Sequence, residues 1–221
     1  MFRLAVVWGP ALVLARLLGA QSTPSIRFIG NEAFEISDGS TTILTDYPYQ
    51  PGYSGYMRYD STSVRPTGRV LAVITHRHLD HFDPTRLTER AWRILAPREI
   101  TRALDSAQVV RLDSIVAFGP VTIRPIRTPH AGTEHYAYLI EWGPLRLFFP
   151  GDTEDPASLL RQSGLTHAFL TPWLWNTLRH DPGRVPARHI VFYHHEEGAQ
   201  VVSCPNCWQP RQGEWRPALV P

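Results

Sequence analysis

Thr75-His76-Arg77-His78-Leu79-Asp80-His81 follows directly on an apolar run, Val70-Leu71-Ala72-Val73-Ile74. Three imidazoles and one carboxylate in so short a span are a ready donor set for zinc or a similar divalent cation. The run before them has the β-branched, buried character of a core strand. It is therefore predicted to empty into the donor-bearing loop, which is where α/β proteins put their chemistry. A loop of solvated histidines is the plainer alternative, and it gives no reason for the crowding.

Three more strand-like runs end in metal-type residues. Ile126-Arg127-Thr128-Pro129-His130 delivers one histidine. Leu147-Phe148-Phe149-Pro150-Gly151-Asp152-Thr153 ends in Gly-Asp, where glycine permits close backbone approach and the carboxylate is free to bridge two cations. Ile190-Val191-Phe192-Tyr193-His194-His195 ends in a histidine pair. Singly, each is more often a solvated loop residue. Together with the first cluster they give seven donors at strand ends, enough for two adjacent metals that share a water.

Composition bounds the rest. A chain of 221 residues with 43% hydrophobic and 11% aromatic content suits one domain with a sizeable core. The net charge of +2 and the absence of a like-charge run argue against a nucleic-acid partner. All 22 basic residues are arginine, which reads as codon bias. Residues 1–20 have the order of a signal peptide: Arg3, an apolar stretch from Leu4 to Leu14, then Leu18-Gly19-Ala20 before Gln21. Export to the periplasm or medium is expected, with a cytoplasmic protein as the alternative, and no membrane association beyond that leader. In an exported protein Cys204 and Cys207 could form a small-loop disulfide; in a cytosolic one they could be half a zinc site or plain thiols.

Strands are predicted over 25–29, 33–36, 41–45, 69–75, 94–96, 168–170 and 190–193, with Asp38-Gly39 as a hairpin turn. Two more hairpins turn at Gly119-Pro120 and Gly143-Pro144. Asp83-Pro84 and Asp155-Pro156 open helices, the first to about Trp92 and the second over 157–162; another helix is expected over 99–106. Residues 199–221 read as an irregular tail. Strands with helices inserted between them point to two mixed sheets covered by helices.

Asp46, the His76/His78/Asp80/His81 cluster, His130, Asp152 in Gly-Asp-Thr and a late histidine resemble, in that order, the metallo-β-lactamase fold superfamily. Phe28-Ile29-Gly30-Asn31-Glu32-Ala33-Phe34 and Ile43-Leu44-Thr45-Asp46 are similar to its small hydrolases, related to ascorbate-6-phosphate lactonase and the N-acylphosphatidylethanolamine phospholipase D group. The resemblance spans about residues 25–198. It implies a four-layer αβ/βα sandwich and two divalent metal ions, zinc being expected. His76, His78 and His130 would hold the first ion. Asp80, His81 and the late histidine would hold the second, with Asp152 between them and Asp46 orienting a ligand imidazole from behind. His194 is preferred over His195 as the late ligand because it directly follows the strand. Phe192-Tyr193 and Thr171-Pro172-Trp173-Leu174-Trp175 depart from the family's pattern, which leaves the substrate open.

Tyr47, Tyr49, Tyr53, Tyr56 and Tyr59, with Trp173 and Trp175, could shape a pocket or simply pack a loop onto the core. His135, His167, His180 and His189 have no motif context and are expected to be structural or solvated. The function expected is a binuclear hydrolase acting on an ester, lactone, amide or phosphodiester of a small molecule through a metal-bridging hydroxide. Asp80 or Asp152 would relay the proton. Iron-dependent oxidation on the same fold and a non-catalytic, metal-stabilised binding protein are the alternatives.

Overall fold

Two six- and seven-stranded sheets carry the protein, in a computed structural model that describes residues 23–52, 55, 57–60, 62–196, 198–200 and 204–218. The leader expected at 1–20 lies outside the described residues, as do Tyr53 and Tyr56. The first sheet takes β1 (Ser25–Gly30), β2 (Ala33–Ser37), β3 (Thr41–Thr45), β4 (Arg69–Val73), β5 (Arg93–Leu95) and β13 (Trp215–Pro217), in the order β13-β1-β2-β3-β4-β5. The second takes β6 (Val116–Phe118), β7 (Val121–Arg127), β8 (Tyr136–Trp142), β9 (Leu145–Phe149), β10 (Leu165–Leu170), β11 (Ala187–Phe192) and β12 (Cys207–Trp208), in the order β12-β11-β10-β9-β8-β7-β6. Each sheet is mixed: β3, β4 and β5 run parallel, as do β9, β10, β11 and β12, while the remaining pairs are antiparallel.

Alternation along the strands builds three apolar layers. Phe28, Phe34, Ile36 and Leu71 from the first sheet face Ile123, Tyr138, Phe149 and Phe169 from the second. Outside the first sheet, Ala72, Ile74 and Ile94 are covered by Leu87 and Ile100, from α1 (Pro84–Thr88) and α2 (Arg98–Thr101). Outside the second, Leu139, Phe148 and Leu170 are covered by Leu159, Leu174 and Trp175, from α3 (Ala157–Leu160) and α4 (Pro172–Leu178). The result is the expected αβ/βα sandwich, with thin outer layers.

Several local expectations need correction. The first helix ends at Thr88 rather than near Trp92, because Trp92 packs on Tyr47 and β5 begins at the next residue. The helices expected over 99–106 and 157–162 close after a single turn, at Thr101 and Leu160. The strands expected over 168–170 and 190–193 instead begin earlier, at Leu165 and Ala187. Helix α4 was not foreseen, although Thr171-Pro172 carries its start signal: the Thr171 hydroxyl accepts the Leu174 amide at 3.2 Å.

The tail is not irregular throughout. Cys207–Trp208 adds a parallel strand beside β11, and Trp215–Pro217 adds an antiparallel strand beside β1, so the C-terminal segment covers one edge of each sheet. Strands of two and three residues are too short for alternation to reveal them. Cys204 and Cys207 are joined as a disulfide. Among the described residues no helix is long and apolar enough to cross a membrane.

Candidate metal centre

The ends of β4, β7, β9 and β11 converge where the two sheets meet. Two tyrosines fasten that end: the Tyr138 hydroxyl donates to the Ile74 carbonyl at 2.8 Å, and the Tyr193 hydroxyl to the Gly151 carbonyl at 2.8 Å. His76, His78 and His130 form one group, with donor atoms within 4.8 Å of one another. Glu32, Asp80, His81, Asp152 and His194 form a second group that meets the same limit. The His76 and His81 rings lie 3.8 Å apart, so the groups are neighbours.

Hydrogen bonds behind the rings decide which nitrogens face inward. The Thr75 hydroxyl has one proton and donates it to Asp46 Oδ2 at 2.8 Å. It must then accept from Nδ1 of His76, 3.0 Å away, which leaves Nε2 of His76 as a lone pair. That Nε2 lies 2.9 Å from Nδ1 of His78. Nε2 of His130 is buried and has no hydrogen-bond partner. Burial, reinforced by the neighbouring imidazoles, holds His76 far below the usual histidine range. Burial lowers His130 as well, and inward nitrogens that burial keeps neutral on His76 and His130 fit a cation better than they fit protons.

In the second group, Nδ1 of His81 donates to Asp46 Oδ2 at 2.9 Å, so Asp46 orients this ring and, through Thr75, that of His76. Nε2 of His81 lies 3.1 Å from Asp152 Oδ2 and 3.9 Å from Asp80 Oδ2. Nε2 of His194 lies 3.5 Å from Asp152 Oδ2 and 3.6 Å from Asp80 Oδ2. Burial opposes a charge on His81, but the Asp152 and Asp46 carboxylates outweigh it and raise the ring to about 10. A divalent cation would take the place of that proton. The buried Asp152 Oδ1 has no hydrogen-bond partner, an orphaned acceptor that fits a cation. The donor set therefore fits divalent metal.

The structure brings all seven expected donors to one place and puts Asp46 behind them. Asp152 falls with the second group. Between the twin histidines, His194 faces the carboxylates while His195 turns away, its Nδ1 against the Glu196 carbonyl at 3.0 Å. Burial drives His194 down to about 3.

One residue was missed. Glu32, in the turn between β1 and β2, is fully buried, and its carboxylate touches both His81 and His194. A charged residue in a tight turn between two buried strands was the available signal. Of the two readings expected for His135, the structural one holds: Nδ1 bonds to the Thr128 hydroxyl at 2.7 Å, and Nε2 accepts the Asp152 amide at 3.0 Å. Burial lowers it to about 3. Gly151 makes this bond possible, since a Cβ at its φ of +62° would sit 2.6 Å from His135 Nε2. His167 and His189 are half- to fully buried and pair with ring centroids 5.1 Å apart, whereas His180 is exposed.

Tyr47 and Tyr49 pack with Val64 and Tyr59 against the outer face of the first sheet, so these three tyrosines serve the core. Trp175 is also core, but Trp173 meets the His194 ring edge-on at 4.6 Å. An open groove of about 850 Å³ runs beside His130, bordered by Arg127, Thr133, Glu154 and Asp155.

The model of the beta-lactamase superfamily domain matches residues 25–172, and the chain belongs to that superfamily. No curated protein matches it. Among solved structures it is similar to a candidate metal-dependent hydrolase of Veillonella parvula, at 14% identity over 88% of this chain and 99% of that one, with a TM-score of 0.70. The metallo-beta-lactamase fold protein YhfI of Bacillus subtilis shares 15% identity over 88% and 99%, with a TM-score of 0.63. CmlA, a diiron beta-hydroxylase of Streptomyces venezuelae, shares 16% over 78% of this chain and 45% of that one, with a TM-score of 0.56. At these identities the likeness is one of fold.

Proposed function

We propose that this beta-lactamase superfamily protein is a binuclear metal-dependent hydrolase of a small ester, lactone, amide or phosphodiester. The observation that carries the reading is the pair of adjacent donor groups, His76/His78/His130 and Glu32/Asp80/His81/Asp152/His194. Two divalent ions held there would supply Lewis acidity and make a water nucleophilic near neutral pH.

The chain's own residues divide the remaining work. Glu32 and Asp46 have fully buried side chains, whereas those of Asp80 and Asp152 keep 11% and 9% of their surface. Only the latter two can meet a substrate, so they take the proton from the attacking water and return it to the leaving group. The groove beside His130 admits the substrate. Trp173 packs edge-on against His194 at the other donor group.

A panel of esters, lactones, amides and phosphodiesters, run with metal-saturated protein, tests this reading. Asp152→Asn should lose at least about a hundredfold in kcat on any substrate found. One observation favours a second reading: the second donor group is rich in carboxylates, and the fold is shared with a diiron hydroxylase. Oxygen uptake dependent on iron, with no hydrolysis across the panel, would decide for oxidation. Export is proposed on the leader-like residues 1–20 and the Cys204–Cys207 disulfide.

A further inference from the structure

We infer that Glu32 is a fifth donor of the second site, and that it makes the two sites unlike: the first suited to zinc, the second to a harder cation such as Mn(II) or Fe(II). The inference rests on the binuclear reading above and extends it to the identity of each ion.

Glu32 is built into the site. Its turn is held in register by Asn31, whose Nδ2 donates to the Asp80 carbonyl at 2.9 Å and whose own carbonyl accepts the His194 amide at 2.9 Å. Asn31 adopts a φ of +53° and His194 a φ of +54°. Two left-handed residues meeting through one hydrogen bond fix the turn against the strand end that supplies a metal donor. The Glu32 carboxylate is fully buried and reaches Nε2 of His194, the nitrogen that also faces Asp80 and Asp152.

Charge balance asks for a cation at this place. Among the described residues, the ion pairs of Glu32, Asp46, Asp80 and Asp152 involve two imidazoles, His81 and His194. Four buried carboxylates against two imidazoles make a cluster far richer in acidic than in basic side chains, the setting in which a cation is the fitting partner. Among the described residues no arginine pairs with any of the four. Asp152, itself more than nine-tenths buried, leaves Oδ1 with no hydrogen-bond partner.

The donor types then separate the sites. Three imidazoles and no carboxylate match the low-coordinate, nitrogen-preferring habit of zinc. Three carboxylates with two imidazoles offer an oxygen-rich set, which suits Mn(II) or Fe(II). Without Glu32 the second group would hold two carboxylates and two imidazoles, an ordinary zinc set.

The test is competitive loading. Metal-free protein is incubated anaerobically with Zn(II) and a large excess of Mn(II), which offsets zinc's general advantage, then desalted and read by elemental analysis and by the Mn(II) electron paramagnetic resonance signal. Wild type should carry about one Zn(II) and one Mn(II) per chain. Glu32→Gln should lose Mn(II) by roughly tenfold or more, its second site taking zinc instead. His76→Ala, which disables the first site, should keep its Mn(II). Zinc in both sites of the wild type overturns the inference, as does a Glu32→Gln protein that keeps its manganese. If Glu32→Gln does not fold, the wild-type loading and the His76→Ala protein still decide. Failure to bind any second ion would instead overturn the binuclear reading itself.

Discussion

Asp46 Oδ2 stands 2.9 Å from Nδ1 of His81 and 2.8 Å from the Thr75 hydroxyl that sets the His76 ring. One carboxylate thus orients a ring in each donor group. Its Oδ1 accepts the Thr75 amide at 2.7 Å, so the loop that leaves β4 is tied to the same residue. Burial pushes the Asp46 carboxyl up, while His81 and Thr75 stabilise its charged form.

Asp46→Ala should therefore weaken binding of both ions, by roughly ten- to a hundredfold each. Calorimetric titration of metal-free protein measures this. An effect on one ion alone would mean that the Thr75 relay to His76 carries no orientation.

Gly151→Ala should destabilise the fold and disturb the centre. The new Cβ would lie 2.6 Å from His135 Nε2 and 2.9 Å from the Thr75 Cβ, in a left-handed conformation. A cost above about 2 kcal/mol is expected in urea unfolding at fixed metal concentration. A neutral substitution would show that the His135–Asp152 bond is not held in place by this glycine.

Much of this site was legible because its donors lie at strand ends in local motifs. The His76–His81 cluster and Gly151-Asp152 announce themselves within a few residues. Glu32 does not: its turn reaches Asp80 across 49 residues, a contact that only the sheet order creates. For His135 the sequence leaves structural and solvated roles open, because its bond to the Asp152 amide depends on the pairing of β8 with β9. The layered fold followed from the order of strands and helices. The one-turn helices and the short edge strands at Cys207–Trp208 and Trp215–Pro217 offer no period to read.

Protein recovered from its native host should begin near Gln21 and should carry Cys204 and Cys207 oxidised. Intact-mass spectrometry, with and without reduction, checks both features at once. Reduction should cost no more than about 2 kcal/mol, since the loop closed by this disulfide is very short. An intact N-terminus with free thiols would contradict export.

The twin histidines should behave differently. His194→Ala should reduce metal content from two ions to about one, because the ring facing Asp80 and Asp152 is lost. His195→Ala should leave metal content unchanged, as its ring turns to Glu196 and Phe28 instead. The reverse pattern would mean that the end of β11 is rotated by one residue.

The most direct measurement is the number of ions bound per chain. Metal-free protein, saturated with Zn(II) or Mn(II) and analysed by plasma mass spectrometry after desalting, should hold about two ions per chain. His130→Ala and Asp80→Asn should each lower that number by about one. A wild-type chain that saturates at one ion or none would contradict the binuclear centre on which the account stands.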